Sequence, residues 1–101
     1  MTIEEFHRNG HVLGVGYTIE GFASLYVIQG QLERATQLFA WADAIREKLG
    51  SSRPPVEQGD VDKDNTTCLA RMGEAAFSDV YEEGKKMSLE EAVAYALEKS
   101  S

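Results

Sequence analysis

The sequence predicts an all-α fold. Apolar residues recur with helical spacing along almost the whole chain, and no segment alternates polar and apolar residues between hairpin-type turns. Two capping boxes, Thr2 with Glu5 and Ser88 with Glu91, have the spacing that satisfies the free amides of a helix start. We therefore expect a single helical domain, residues 1–101.

The first long helix is predicted over about residues 11–29, after a short leading turn that Asn9 and Gly10 close. Gly30 is expected to end this helix, because glycine readily adopts the left-handed conformation of a helix C-terminus. The helix should bury its apolar face against the next helix. That face consists of Val12, Val15, Ile19, Phe22, Ala23 and Tyr26.

The second helix is predicted over about residues 31–49 and forms an antiparallel hairpin with the first. Gly50 is expected to cap its C-terminus. Pro54 and Pro55 mark the loop that follows, since proline lacks an amide donor and restricts the residue before it. The apolar stripe of this helix consists of Leu32, Ala35, Leu38, Phe39, Ala42, Ile45 and Leu49.

Three shorter helices are predicted over about residues 56–72, 74–86 and from 88 to the C-terminus. The first of these three has the weakest support, because it contains residues of poor helix propensity. Those residues are Gly59, Asn65, Thr66 and Thr67.

Composition excludes several classes of function. The 101 residues include 17 acidic and 10 basic side chains, giving a formal charge of −7. A chain this short buries about 60–70 % of its unfolded surface, enough for one small core, which excludes a two-domain enzyme. The basic residues are scattered among acids, which opposes binding to nucleic acid or to an anionic membrane. Cys68 is the only cysteine, so an internal disulfide is impossible, and we expect a cytoplasmic protein.

The run from Val12 to Ile28 contains a single charge, Glu20. It is shorter than the roughly 20 residues that cross a bilayer, and it is interrupted by glycines. We interpret the run as a helix buried in protein.

The predicted hairpin resembles a tetratricopeptide unit over about residues 16–49. The resemblance depends on the spacing of large and small side chains, because small residues let two helices approach and aromatic residues fill the space between turns. The matching patterns are Ile19-x2-Phe22-Ala23-x2-Tyr26, Gln29-Gly30 and Ala35-x3-Phe39-x2-Ala42.

A wider resemblance covers about residues 19–97. Segments 30–35, 41–47, 53–55, 72–77 and 83–92 look like the C-terminal tetratricopeptide-like end of large bacterial signalling ATPases and LuxR-like transcriptional regulators. The resemblance implies a non-catalytic helical region joined to an ATPase and a DNA-binding module. The Gly-x4-Gly-Lys-Ser/Thr phosphate loop does not occur in this sequence, so ATP hydrolysis is not implied.

One line along the first helix carries the main functional signal. Its residues fall within about 40° of each other, opposite Phe22 and Tyr26. Glycine costs a helix about 1 kcal/mol relative to alanine, so glycines on one line indicate another helix lying close. A chain of this length is too short to enclose the helix on all sides. We therefore expect a second copy or another protein to cover it. Alternatively, the N-terminal segment and the last three helices fold back over it. The line consists of Gly10, Gly14, Tyr17, Gly21, Ser24 and Ile28.

Two further residues have alternative interpretations. Glu20 either contacts a basic residue of the partner or lies at the helix edge in water, and we favour water because a buried unpaired carboxylate is costly. Trp41 lies between Leu38 and Ile45 on its helix, which favours a core position. If it were partly exposed, it would instead be a natural interface anchor.

The sequence gives little support to a metal site. His7 and His11 have helical spacing, but Asn9 and Gly10 are expected to break the helix between them. The acidic residues at 60, 62 and 64 imitate a calcium loop but lack its turn glycine and its bidentate acid, and are better explained as acids at a helix start. We therefore expect no metal, no cofactor and no catalytic residue, and an inert, buried Cys68.

We interpret the protein as a non-catalytic interaction module of tetratricopeptide type. It would form a homodimer or dock another protein or peptide through its first helix, and its acidic surface favours basic partners. The alternatives are a regulatory C-terminal piece of a transcriptional or signalling ATPase and, less favoured, a small metal-binding hydrolase using His7 and His11. The candidate protein-binding residues are Gly14, Tyr17, Glu20, Gly21, Ser24, Val27, Ile28 and Trp41.

Overall fold

The structure is a computed structural model that describes the backbone of residues 3–98 and the side chains of residues 12–98. The described residues form helices and no strand, so the predicted all-α class is confirmed. The helices are α1 (Ile3–Ile28), α2 (Leu32–Leu49), α3 (Pro55–Met72), α4 (Glu74–Lys85) and α5 (Leu89–Leu97).

The start of α1 differs from the sequence prediction. Asn9 and Gly10 do not close a leading turn, because α1 is continuous from Ile3 through both residues. The physical reason is that asparagine and glycine each lower helix stability by only about 1 kcal/mol or less, and neither removes a backbone amide as proline does. The expected break between His7 and His11 was therefore wrong. The predicted helix over 56–72 does form, as α3.

Helix ends follow the local chemistry of the sequence. Gly50 has φ 67° and its N–H, with that of Ser51, bonds to carbonyls in the last turn of α2. The Ser88 side chain accepts a hydrogen bond from the Glu91 N–H at 3.1 Å, and the Glu91 carboxylate accepts one from the Ser88 N–H at 3.0 Å. The predicted glycine cap and the second capping box are thus confirmed.

Helix α2 is the centre of the fold. It packs most extensively against α1 on one side and α4 on the other, while α3 and α5 make smaller contacts at the edges. Gly84 lets α4 approach α2, because a Cβ atom there would lie 2.6 Å from the Cα of Gln37. Consecutive helices α3 and α4 touch each other far less than α1 and α2 do, so they do not repeat the first hairpin.

The largest fully buried side chains all belong to α2 or α3, which places the core around the central helix. They are Trp41, Phe39, Leu38, Thr36 and Cys68. Helix α5 closes the core by packing Ala92 and Ala96 inward. Its position is fixed by the Tyr26 hydroxyl, which donates a hydrogen bond to the Ala96 carbonyl.

Candidate functional site

Between residues 12 and 28, one side of α1 faces solvent and carries no charged side chain. Tyr17 is 59 % exposed, Ile28 is 82 % exposed, and Leu25 is also exposed. A Cβ atom built on Gly14 or Gly21 would meet no atom within 4 Å, so none of α2 to α5 packs against these glycines. We call this surface the outer face of α1. It comprises Gly14, Tyr17, Thr18, Gly21, Leu25 and Ile28.

The outer face is bordered on one side by an apolar groove of about 390 Å³ between α1 and α5. Gly14 and Thr18 belong to both the face and the groove, and Leu97 leaves most of its side chain in solvent at the rim. The outer face and the groove therefore form one continuous apolar surface. The groove is lined by Gly14, Val15, Thr18, Ile19, Phe22, Val93, Ala96 and Leu97.

The opposite border is acidic. Ser24 at this edge donates a hydrogen bond to the Asp64 carboxylate of α3 at 2.8 Å, which holds α3 alongside α1. The cleft between the two helices, about 180 Å³, has Glu57 and Asp60 on its α3 wall and Tyr17 on its α1 wall. A ligand on the outer face would thus meet apolar groups towards α5 and carboxylates towards α3.

Glu20 lies on the inner side of α1 and is 7 % exposed, so the prediction that it sits in water was wrong. Its Oε1 is 2.9 Å from Arg46 Nε and 2.8 Å from Arg53 Nη2. The loop after α2 folds back and brings Arg53 to this carboxylate. Two arginines of the same chain pair with Glu20, so its carboxylate is not available to bind a basic residue of a partner.

Arg53 joins Glu20 to a second carboxylate, Asp43 in α2, at 2.5 Å from Nη1 to Oδ1. Burial disfavours the charged form of Arg53, but the hydrogen bonds and negative charges of Glu20 and Asp43 outweigh it and raise its pKa. Tyr81 of α4 donates a hydrogen bond to the other oxygen of Asp43 at 2.5 Å. Burial, with that hydrogen bond and the Asp43 charge, raises the pKa of Tyr81 far above its ordinary value. Four elements are therefore tied together by one polar network.

The predicted binding residues fall into two groups. Gly14, Tyr17, Gly21 and Ile28 are exposed, and Ser24 is half-buried at the α3 edge.

Val27 and Trp41 are buried, as Glu20 is, and Trp41 is only 1 % exposed. Its ring lies over Gly16, where a Cβ atom would be 3.9 Å from Trp41 Cζ3. The prediction of an interface anchor at Trp41 is therefore wrong, and its interpretation as a core residue is confirmed.

Sequence reasoning missed Thr18 and Leu97. The sequence did not indicate that Leu97 is exposed, because its helical spacing places it on the apolar stripe of α5.

Among the side chains that the structure describes, no three His, Cys, Asp or Glu residues are grouped to hold a metal ion. The side chains of His7 and His11 lie outside that part of the chain. No described helix is long and apolar enough to cross a membrane.

Comparison with known proteins gives no relative: no family model, curated protein or solved structure matches this chain. The resemblance to signalling ATPases and LuxR-like regulators therefore stays a prediction, and so does the tetratricopeptide assignment of the α1–α2 hairpin.

Proposed function

We propose that this protein is a non-catalytic interaction module, of tetratricopeptide type, that docks a protein partner through the outer face of α1. The observation that carries the proposal is the exposure of Tyr17, Leu25 and Ile28 on a helix face without charge. Contiguous apolar surface of this kind on a soluble chain marks an interaction site.

The glycines of α1 add support. Gly14 and Gly21 lie two turns apart on the outer face, where each lowers helix stability by about 1 kcal/mol relative to alanine. Contacts within the chain do not require either glycine, since a Cβ atom would fit at both positions. A partner whose backbone lies close to α1 would explain why glycine occurs at both positions.

The interior titratable groups support a non-catalytic role. Glu20, Asp43, Arg46 and Arg53 pair with one another. These ion pairs hold α1, α2 and the loop after α2 together, so the charges of the four residues serve the fold.

Photo-crosslinking tests the proposal. Tyr17 is replaced by the photoreactive amino acid benzoylphenylalanine, and Lys63, exposed on α3, receives the same replacement as a control. Irradiation in cells should give a covalent protein adduct from position 17 and not from position 63. Adding Gly21→Glu should lower the adduct yield at least about tenfold, since a carboxylate would be desolvated in the contact. Equal yields from positions 17 and 63 would show that the outer face docks nothing.

A further inference from the structure

Two carboxylates of α3 border the outer face of α1, and neither forms an ion pair or a hydrogen bond within the described part of the chain. They belong to Glu57, which is half-buried, and Asp60, which is exposed, and both line the cleft opposite Tyr17. Asp64, further along α3, differs because it accepts a hydrogen bond from Ser24. The charges of Glu57 and Asp60 are therefore available to a cation of a partner.

A partner on the outer face would cover part of this cleft. A helix is about 10 Å across, so a helix lying on α1 also contacts the groups on either side of α1. Burying a carboxylate without an opposite charge is costly, whereas a lysine or arginine at that edge would pair with it. The edge of the partner that faces Glu57 and Asp60 is therefore expected to be basic.

The opposite edge of the partner is expected to be apolar. Towards α5 the outer face continues into the groove of about 390 Å³. Of the described residues that line this groove, only Thr18 has a polar side chain, and its hydroxyl donates a hydrogen bond to the Gly14 carbonyl at 3.1 Å. Aliphatic or aromatic side chains of the partner fit such a groove, because they need no hydrogen bond there.

The spacing of these features suits a helix. From Gly14 to Ile28 the outer face follows α1 for about 21 Å, the length of roughly four helical turns. Glu57 and Asp60 have i, i+3 spacing on α3, so their carboxylates lie about one turn apart on one side of that helix. Lysine or arginine residues at i and i+3 or i+4 of a partner helix have the same separation.

We infer that the partner docked on the outer face of α1 is a basic amphipathic helix, whose lysine or arginine residues lie over Glu57 and Asp60. Its apolar stripe lies on the outer face and in the groove beside α5. This inference rests on the proposed function and adds the chemistry and the orientation of the partner. The formal charge of −7 on the chain adds a long-range attraction for such a helix.

Binding of designed peptides of about 18 residues, roughly five helical turns, tests the inference. The probe has leucine at i, i+3, i+4 and i+7 and lysine along one edge of the leucine stripe. One counterpart carries glutamate in place of lysine, and the other carries serine in place of leucine. In isothermal titration calorimetry with the purified full chain, the leucine–lysine peptide should bind at least about tenfold more tightly than either counterpart. An affinity no better than that of either counterpart would overturn the inference, because binding would then not need both charge and apolar contact.

Charge-removal variants locate the contact. Glu57→Gln combined with Asp60→Asn should weaken binding of the leucine–lysine peptide at least about tenfold, and Tyr17→Ala should weaken it by a similar factor. The matched control is Glu74→Gln combined with Asp79→Asn. It removes the same two kinds of carboxylate, both exposed and without an ion pair among the described residues, from α4, which does not pack against the described part of α1.

The control should change the affinity less than about twofold at about 0.15 M salt, where distant exposed charges are largely screened. Circular dichroism should show all variants equally helical. Equal losses in the two double variants would overturn the inference, because the peptide would then respond only to the net charge of the chain.

Photo-crosslinking separates this inference from the proposed function. With benzoylphenylalanine at position 17, adding Glu57→Gln and Asp60→Asn should lower the adduct yield in cells at least about fivefold, whereas adding Glu74→Gln and Asp79→Asn should leave it unchanged. An adduct that does not depend on Glu57 and Asp60, or one with twice the mass of the 11.2 kDa chain, overturns the basic partner and leaves the docking face in place. If position 17 gives no adduct, both proposals are wrong.

Discussion

Arg53, in the loop between α2 and α3, lies 2.8 Å from Glu20 in the middle of α1, measured from Nη2 to Oε1. The two residues are 33 positions apart in sequence, and both are almost fully removed from water. The contact ties the loop after α2 to α1. It pairs the one carboxylate of α1 between residues 12 and 28, so the outer face of α1 is the side of this segment that contacts none of the charged groups of the network.

The first prediction concerns Glu20. Glu20→Gln should lower the free energy of unfolding by about 3 kcal/mol, because Arg46 loses its carboxylate partner and Arg53 keeps only Asp43. Urea denaturation followed by circular dichroism measures the change. The matched control is Glu82→Gln, which removes an exposed carboxylate paired with Lys85 at 3.6 Å and should change stability by less than about 0.5 kcal/mol. A loss below about 1 kcal/mol for Glu20→Gln would contradict the network.

The second prediction concerns the pH dependence that Tyr81 confers. The folded state holds the phenol proton, with a pKa raised above its ordinary value of 10, while the unfolded state releases it near pH 10. The folded state therefore binds more protons, so the stability contribution is complete below pH 10 and falls by about 1 kcal/mol for each pH unit above it. Denaturation curves between pH 9 and about pH 12 measure the slope. Tyr81→Phe should show a shallower decline, and identical slopes in the two proteins would argue against the burial of the Tyr81 hydroxyl and its hydrogen bond to Asp43.

Helix ends could be predicted from sequence, whereas the surroundings of side chains could not. Gly50 and Ser88 act through backbone groups within a few residues, so local spacing is sufficient to identify them. The pairing of Glu20 depends on a loop that returns from residues 50–54, and helical periodicity carries no information about that path. Similarly, the periodicity of α1 correctly placed Tyr17 and Gly21 on one outward line. The position of Trp41 between Leu38 and Ile45 favoured the core, as the structure confirms, but a helical pattern does not identify the residue that covers the ring, which is Gly16.

The third prediction concerns the contact between α4 and α2. Gly84→Ala should lower the free energy of unfolding by about 2 kcal/mol or more, because the new methyl group would lie 2.6 Å from Gln37 Cα and 2.8 Å from its carbonyl carbon. These are backbone atoms, so the helices must separate. Thermal unfolding measures the difference.

Gly59→Ala is the control for this change. Its Cβ atom would meet nothing within 4 Å, so the better helix propensity of alanine should raise stability by up to about 1 kcal/mol. If both substitutions stabilised the protein, α4 would not lie as close to α2 as the structure places it.

The last prediction concerns the thiol of Cys68, which is fully buried in the core. Burial is the main cause that raises its pKa, so the reactive thiolate is disfavoured as well as inaccessible. The native chain should react with a disulfide reagent such as dithionitrobenzoate at least about 100-fold more slowly than the unfolded chain. The reason is that the reagent reaches Cys68 only when the core opens. Ser78→Cys places a second thiol on the exposed side of α4 and should give one fast and one slow phase. Because α3 holds Cys68 against Thr36 of α2, comparable rates for the two thiols would mean that α3 is not packed on the central helix as described.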